Sequence, residues 1–244
     1  MAIRLDSRIA WLDAPTWPAL AAAWLAGVGG AFLSIAAGKK ILPEYLAPFA
    51  LLSIFLSLSF GVVAWRLWYR DEIDVFSLKG WPAALVIFGG LLLSEIINAS
   101  AHLRGDVLHP RTLIALFYCV VLVGLQEELW WRGIWFSMFK GRPVMCILAG
   151  SLLFGASHYQ LHGFRSVAMA FFVGLVFSAA RHRGVSIGAL SLAHGLNDWI
   201  AQGHVVRWQW HASRSRIDLI LYGICLLLTA WLLFRWRTEP RFRA

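Results

Sequence analysis

Three short stretches of the chain carry side chains that could hydrolyse an amide. EELWWR puts Glu127, Glu128 and Arg132 within six residues, FGASH ends on His158, and HGLND supplies His194, Asn197 and Asp198. A carboxylate and an imidazole can together hold and deprotonate a water. A second imidazole and an amide can stabilise the oxyanion that develops on a scissile carbonyl. Glu127, His158 and His194 could instead ligate one divalent metal, zinc being the candidate, with a position left open for water. The expected cofactor is therefore none or one zinc.

The surroundings make these groups unusual. The chain has 244 residues, 59% hydrophobic and 14% charged, with a mean hydropathy of +0.66. A soluble fold of that composition would have too few polar residues to cover its surface. Eight apolar segments, 17–37, 46–65, 81–101, 112–138, 143–158, 164–181, 184–202 and 217–236, approach the ~20 residues needed to cross a bilayer. The reading is an all-α membrane protein, a polytopic bundle of about eight transmembrane helices. One domain over 1–244 is expected, with the chemistry confined to 112–202. Arg4 and Arg8 precede the first apolar run as in a signal sequence, but seven further spans favour a retained helix.

A charge at a helix centre costs about 2.5–3.5 kcal/mol, so Glu127, Glu128 and Arg132 could cost about 8–10 kcal/mol unpaired. Groups placed at such cost generally face a bundle interior and mark a working site. At a rise of ~1.5 Å per residue, Glu127, His158 and His194 lie roughly 17–24 Å from the nearest basic loops. Three helices thus bring polar residues to similar depth. Glu128 and Arg132, at i and i+4, share a face in the favourable acid-first order. Glu127 is turned about 100° away, which leaves it as the free carboxylate. His194 and Asp198 again share a face, with Asn197 beside them.

The remaining features have plainer readings. The net charge of +9 is explained by basic residues concentrated in cytoplasmic loops, with both termini cytoplasmic, and no nucleic-acid partner is expected. Cys119, Cys146 and Cys225 lie in apolar runs without CxxC spacing and read as small buried hydrophobes. Several tryptophans, among them Trp208 and Trp210, fall at span ends as an interfacial belt. GVSIG, Gly184 to Gly188, matches the GxSxG string, but that motif needs a strand-to-helix elbow and here it opens a transmembrane helix. No HExxH is present. Glu95 reads as structural or cavity-lining. A rival function is transport, with Glu and His as a proton relay; the two halves of the chain do not resemble each other, as repeated transporter halves would.

Taken together, EELWWR, FGASH and HGLND resemble the EExxxR, FxxxH and HxxxN/D motifs of the CPBP family. These are the CAAX prenyl endopeptidases and bacteriocin-processing enzymes, also called glutamic-type or ABI-type intramembrane proteases. The resemblance covers roughly residues 112–202, with the motifs in the family's order on successive spans. It implies an intramembrane endopeptidase in which Glu127 and His158 activate water, His194 and Asp198 stabilise the oxyanion, and Glu128 and Arg132 support them. Position 198 departs from the Asn that many members carry, and an ionised Asp cannot donate to an oxyanion. Either Asp198 is protonated, or it orients His194, or Asn197 supplies the amide. The expected partners are the lipid bilayer and a membrane-anchored protein or peptide, a C-terminal anchor or leader peptide ranking ahead of a prenyl tripeptide. The expected location is a bacterial-type inner membrane.

Overall fold

The chain divides into two compact units, 1–73 and 74–244. The structure, a computed structural model, describes residues 74–103, 109–139, 141–159, 163–203, 206–210 and 213–234. The segments 17–37 and 46–65 expected to span lie outside the described residues.

The second unit is mostly helical. Its helices are α1 (Trp81–Asn98), α2 (Thr112–Met138), α3 (Met145–Ser157), α4 (Phe164–His182), α5 (Ile187–Ala201) and α6 (Arg214–Phe234). Four helices among the described residues are long and apolar enough to cross a membrane: Trp81–Asn98, Thr112–Met138, Phe164–His182 and Ser215–Phe234. Large side chains such as Leu85, Ile96, Ile114, Leu152, Leu219 and Leu227 are exposed along these and the neighbouring helices. Water would penalise such a surface and lipid does not. The helices α3 and α5 are shorter. At ~1.5 Å per residue they reach roughly 20 and 22 Å, short of the ~30 Å hydrocarbon core. Each helix therefore ends its polar tip, His158 or Asp198, within membrane depth if it starts at one face.

The expected span 81–101 stops earlier. Helix α1 ends at Asn98, whose amide donates to the Ser94 carbonyl at 2.6 Å. A side chain that takes a terminal carbonyl competes with helix continuation. The chain then runs as a strand, β1 (Ala99–Leu103), antiparallel to β2 (Val206–Trp210), with Ala99 opposite Trp210 and Leu103 opposite Val206. The described residues are thus not purely helical. Trp208 lies on β2 and donates from its indole to the Ile200 carbonyl at 3.1 Å, which ties the strand to the last turn of α5.

The core joins α1, α4, α5 and α6 through Ile87, Leu91, Val176, Phe177, Leu190 and Cys225, with small residues such as Ala83, Ala179 and Ala193 between them. Small interfacial residues let membrane helices approach closely. At the α2–α5 crossing this is extreme. A Cβ on Gly195 would collide with the Val120 Cα and lie 2.6 Å from the Cys119 oxygen, and one on Gly124 would lie 2.7 Å from the Ser191 oxygen. At the opposite end, Gly80 precedes α1 with φ of +78°, and a Cβ there would meet Val185. Ser186, the serine of GVSIG, caps α5 by accepting from the Ala189 amide at 3.3 Å and donates to the Ser77 carbonyl at 2.6 Å. It is a buried loop tie. Arg165 on α4 clasps Asp218 on α6 through both carboxylate oxygens at 2.8–3.0 Å.

Gly195→Ala is expected to cost about 1–3 kcal/mol, as overpacking does, and to lower activity with it, because main chain stands on the far side of the missing methyl. Thermal unfolding in detergent measures this; an unchanged midpoint would contradict the close crossing.

Candidate active site

Helix α2 is not a uniform α-helix. It opens into wide i→i+5 turns over Tyr118–Gly124 and again over Leu129–Ile134, with the four residues Leu125–Glu128 between them. Such wide turns are rare and often lie at functional sites. The two glutamates sit at the junction.

Glu128 and Arg132 are fully buried and pair at 3.2 Å, the partnership their spacing predicts. Arg132 also donates to the Gly174 carbonyl of α4 at 3.2 Å. Its guanidinium carbon lies 4.4 Å from the centre of the Phe154 ring and 5.7 Å from that of Phe177. Two aromatic faces and a carboxylate replace the water it has given up. Arg181 fixes the same turn from behind: its Nε donates to the Arg132 carbonyl at 3.0 Å, while Nη1 pairs with Asp74 at 2.7 Å.

Glu128 has a second partner. Its Oε1 accepts from His194 Nδ1 at 2.8 Å, so one buried carboxylate joins α2 to α5. The other ring nitrogen, Nε2, faces Glu127 Oε2 at 3.7 Å and Asp198 Oδ2 at 3.9 Å. His194 is thus wedged between two consecutive carboxylates, one against each ring nitrogen. Glu127 reaches a third helix as well, with Oε1 at 3.9 Å from His158 Nε2. The Glu127 and His158 side chains keep 21% and 22% exposure, whereas Glu128 keeps none. One glutamate is locked and the other borders open space.

His158 stands just past the end of α3, at its C-cap. Its Nδ1 lies 2.9 Å from the Phe154 carbonyl. A carbonyl only accepts, so Nδ1 carries the proton, and in the neutral ring Nε2 presents a lone pair toward Glu127. Phe154 packs edge-on against His158 at 4.6 Å and against His194 at 6.2 Å while covering Arg132.

Among the residues singled out from sequence, Glu127, Glu128, Arg132, His158, His194 and Asp198 therefore come together. No hydrogen bond or ion pair joins Asn197 or Glu95 to them. Phe154 entered the sequence reading only as the first residue of FGASH, without a role of its own, and Phe177, Arg181 and the Gly174 carbonyl were not foreseen as parts of the site. Only Phe154 left a trace, its i,i+4 spacing to His158. Among the described residues, no group of three or more His, Cys, Asp or Glu side chains is arranged to hold a metal ion.

Glu128→Gln removes the anion that Arg132 and His194 share. Leaving a buried partner uncompensated costs about 3–5 kcal/mol, so a large drop in the unfolding midpoint is expected, measured by calorimetry in detergent. A Gln variant as stable as wild type would contradict the shared-anion arrangement.

Comparison with known proteins finds relatives for the segment that carries these residues. Residues 109–200 match a family model described as type II CAAX prenyl endopeptidase Rce1-like. An uncharacterized 24.3 kDa protein of Escherichia coli is 33% identical over 109 residues, 41% of this chain and 50% of that protein. The match thus spans half the relative's length. No solved structure matches. Apolar helices and the family match together describe a multi-pass membrane protein. The segment that holds Glu127, His158 and His194 is an Rce1-like type II CAAX prenyl endopeptidase match, consistent with the CPBP family of intramembrane proteases.

Proposed function

We propose that the protein is an intramembrane endopeptidase that hydrolyses a peptide bond in a membrane-anchored or lipidated substrate. The observation that carries this reading is the Glu127 carboxylate between two imidazoles, 3.9 Å from His158 Nε2 and 3.7 Å from His194 Nε2. Those separations are too long for direct hydrogen bonds and suit a bridging water.

In the proposed reaction the water donates one hydrogen bond to Glu127 and the other to the lone pair of His158 Nε2. Its oxygen attacks the scissile carbonyl carbon, one proton passes to the Glu127–His158 pair, and the carbonyl electrons move onto oxygen. His194 donates to that oxyanion from Nε2. Because Nδ1–H is already given to Glu128, His194 must carry both ring protons to do so. The charges then balance: Glu127 and Glu128 offset Arg132 and the imidazolium. Collapse of the intermediate breaks the C–N bond, and the stored proton goes to the leaving amine. Asp198 borders the oxyanion side, and Asn197 is a neighbouring amide on the same helix. Glu128 and Arg132 position His194 rather than touch the substrate. No step runs through a metal.

A site at membrane depth takes its substrate from the lipid. The family match supports a prenylated or otherwise membrane-anchored protein. We rank a C-terminal anchor or a leader peptide ahead of a prenyl tripeptide, in a bacterial-type inner membrane with both termini cytoplasmic.

The test uses purified protein in detergent with two probes, a farnesylated CAAX peptide and a peptide ending in a single-span anchor, in ¹⁸O-water. At least one probe is expected to be cut, with one ¹⁸O in the new carboxylate, and cutting is expected to persist in a zinc chelator. Absence of cleavage of both probes and of proteins in the native membrane would contradict the protease reading. Loss on chelation with recovery on added zinc would contradict the metal-free mechanism.

A further inference from the structure

The proposed oxyanion site is one donor short whenever Asp198 is ionised, because a carboxylate only accepts. A phenol stands nearby. Tyr118 on α2 lies within electrostatic range of both Glu127 and Asp198. Its side chain is half-buried, and among the described residues no hydrogen bond occupies its hydroxyl.

The path of α2 explains how Tyr118 comes to be there. In a regular α-helix, residues nine apart point about 180° from each other at ~100° per residue, so Tyr118 would face away from Glu127. The wide turns over Tyr118–Gly124 advance only ~82° per residue, which over that stretch holds back roughly 125° and leaves Tyr118 within roughly 55° of the Glu127 direction. The backbone beside it is pressed on α5. A Cβ on Gly195, three residues before Asp198, would meet the Cys119 oxygen and the Val120 Cα. The aberrant turn swings Tyr118 toward the Glu127 face of α2, and the glycine crossing presses its neighbours Cys119 and Val120 on α5 one turn before Asp198.

Resting on the protease reading above, we propose that Tyr118 is a further catalytic residue whose O–H donates to the oxyanion, the hydrogen bond that an Asn at position 198 would supply. No proton leaves it: the phenol stays neutral while water adds to the carbonyl and while the C–N bond breaks. His194 and Tyr118 then form a two-donor oxyanion site that works whatever the protonation state of Asp198.

The experiment measures steady-state cleavage of whichever probe peptide is cut, for wild type, Tyr118→Phe, Tyr118→Phe with Asp198→Asn, and His158→Gln. Losing one oxyanion donor lowers kcat by about 10²–10³-fold, and that loss is expected in Tyr118→Phe with KM within about twofold of wild type and an unchanged unfolding midpoint. The double variant is expected to regain at least about tenfold of kcat, because the amide restores a donor. Wild-type kcat in Tyr118→Phe, a loss confined to KM or stability, or no recovery in the double variant overturns the proposal. His158→Gln separates the two readings. If it cleaves normally, the water-activating site itself is wrong; if it is dead while Tyr118→Phe is fully active, only the role of Tyr118 is.

Discussion

The buried carboxylate of Glu128 is the constraint on which the rest of the site depends. Removing an ion from water costs several kcal/mol even after relaxation, and Glu128 has no exposure at all. It is tolerated because two donors on different helices share it, Arg132 at 3.2 Å and His194 Nδ1 at 2.8 Å. The arrangement sets direction as well as charge. With Nδ1 committed, His194 turns Nε2 toward Glu127. Arg132, paired with Glu128, lies against the rings of Phe154 and Phe177. The locked carboxylate keeps its neighbour available.

The scaffold is matched to that requirement. Glycines 124 and 195 remove side chains where α2 and α5 cross, so the imidazole of His194 can enter between two consecutive glutamates. Gly155 and Gly174 do the same for α3 and α4: a Cβ on Gly155 would lie 2.7 Å from the Val167 oxygen, and one on Gly174 would lie 3.0 Å from Phe154. This brings the ring of Phe154 over Arg132 and the His158 imidazole toward Glu127. The two short helices, α3 and α5, carry the two polar tips. In lipid, such irregular backbone is tolerated only where it is buried or lines a watery cavity, and the partial exposure of Glu127 and His158 fits the second case.

Much of the site was legible in the sequence because its elements are helices of fixed pitch. The i,i+4 spacing of Glu128 and Arg132 is enough to pair them, and helical rise alone brings Glu127, His158 and His194 to one depth. What could not be read were contacts between distant positions. The bond from His194 to Glu128 joins residues 66 apart, and the clasp of Arg165 on Asp218 joins residues 53 apart. Pairing of 99–103 with 206–210 overrode an apolar run that reads as helix. Tyr118 was hidden for a different reason. Counting at ~100° per residue assumes a uniform α-helix, and nothing in YCVVLVG announces the wide turns. Ser186 shows the converse, a motif string whose serine is used as a helix cap.

The central claim is that Glu127, and not its locked neighbour, activates water. The most direct measurement compares turnover and unfolding of wild type with Glu127→Gln, which keeps shape and removes the charge. The account predicts that kcat falls by at least about 10²-fold, as loss of a general base does, while the unfolding midpoint and KM stay near their wild-type values. A Glu127→Gln enzyme with normal turnover would contradict it.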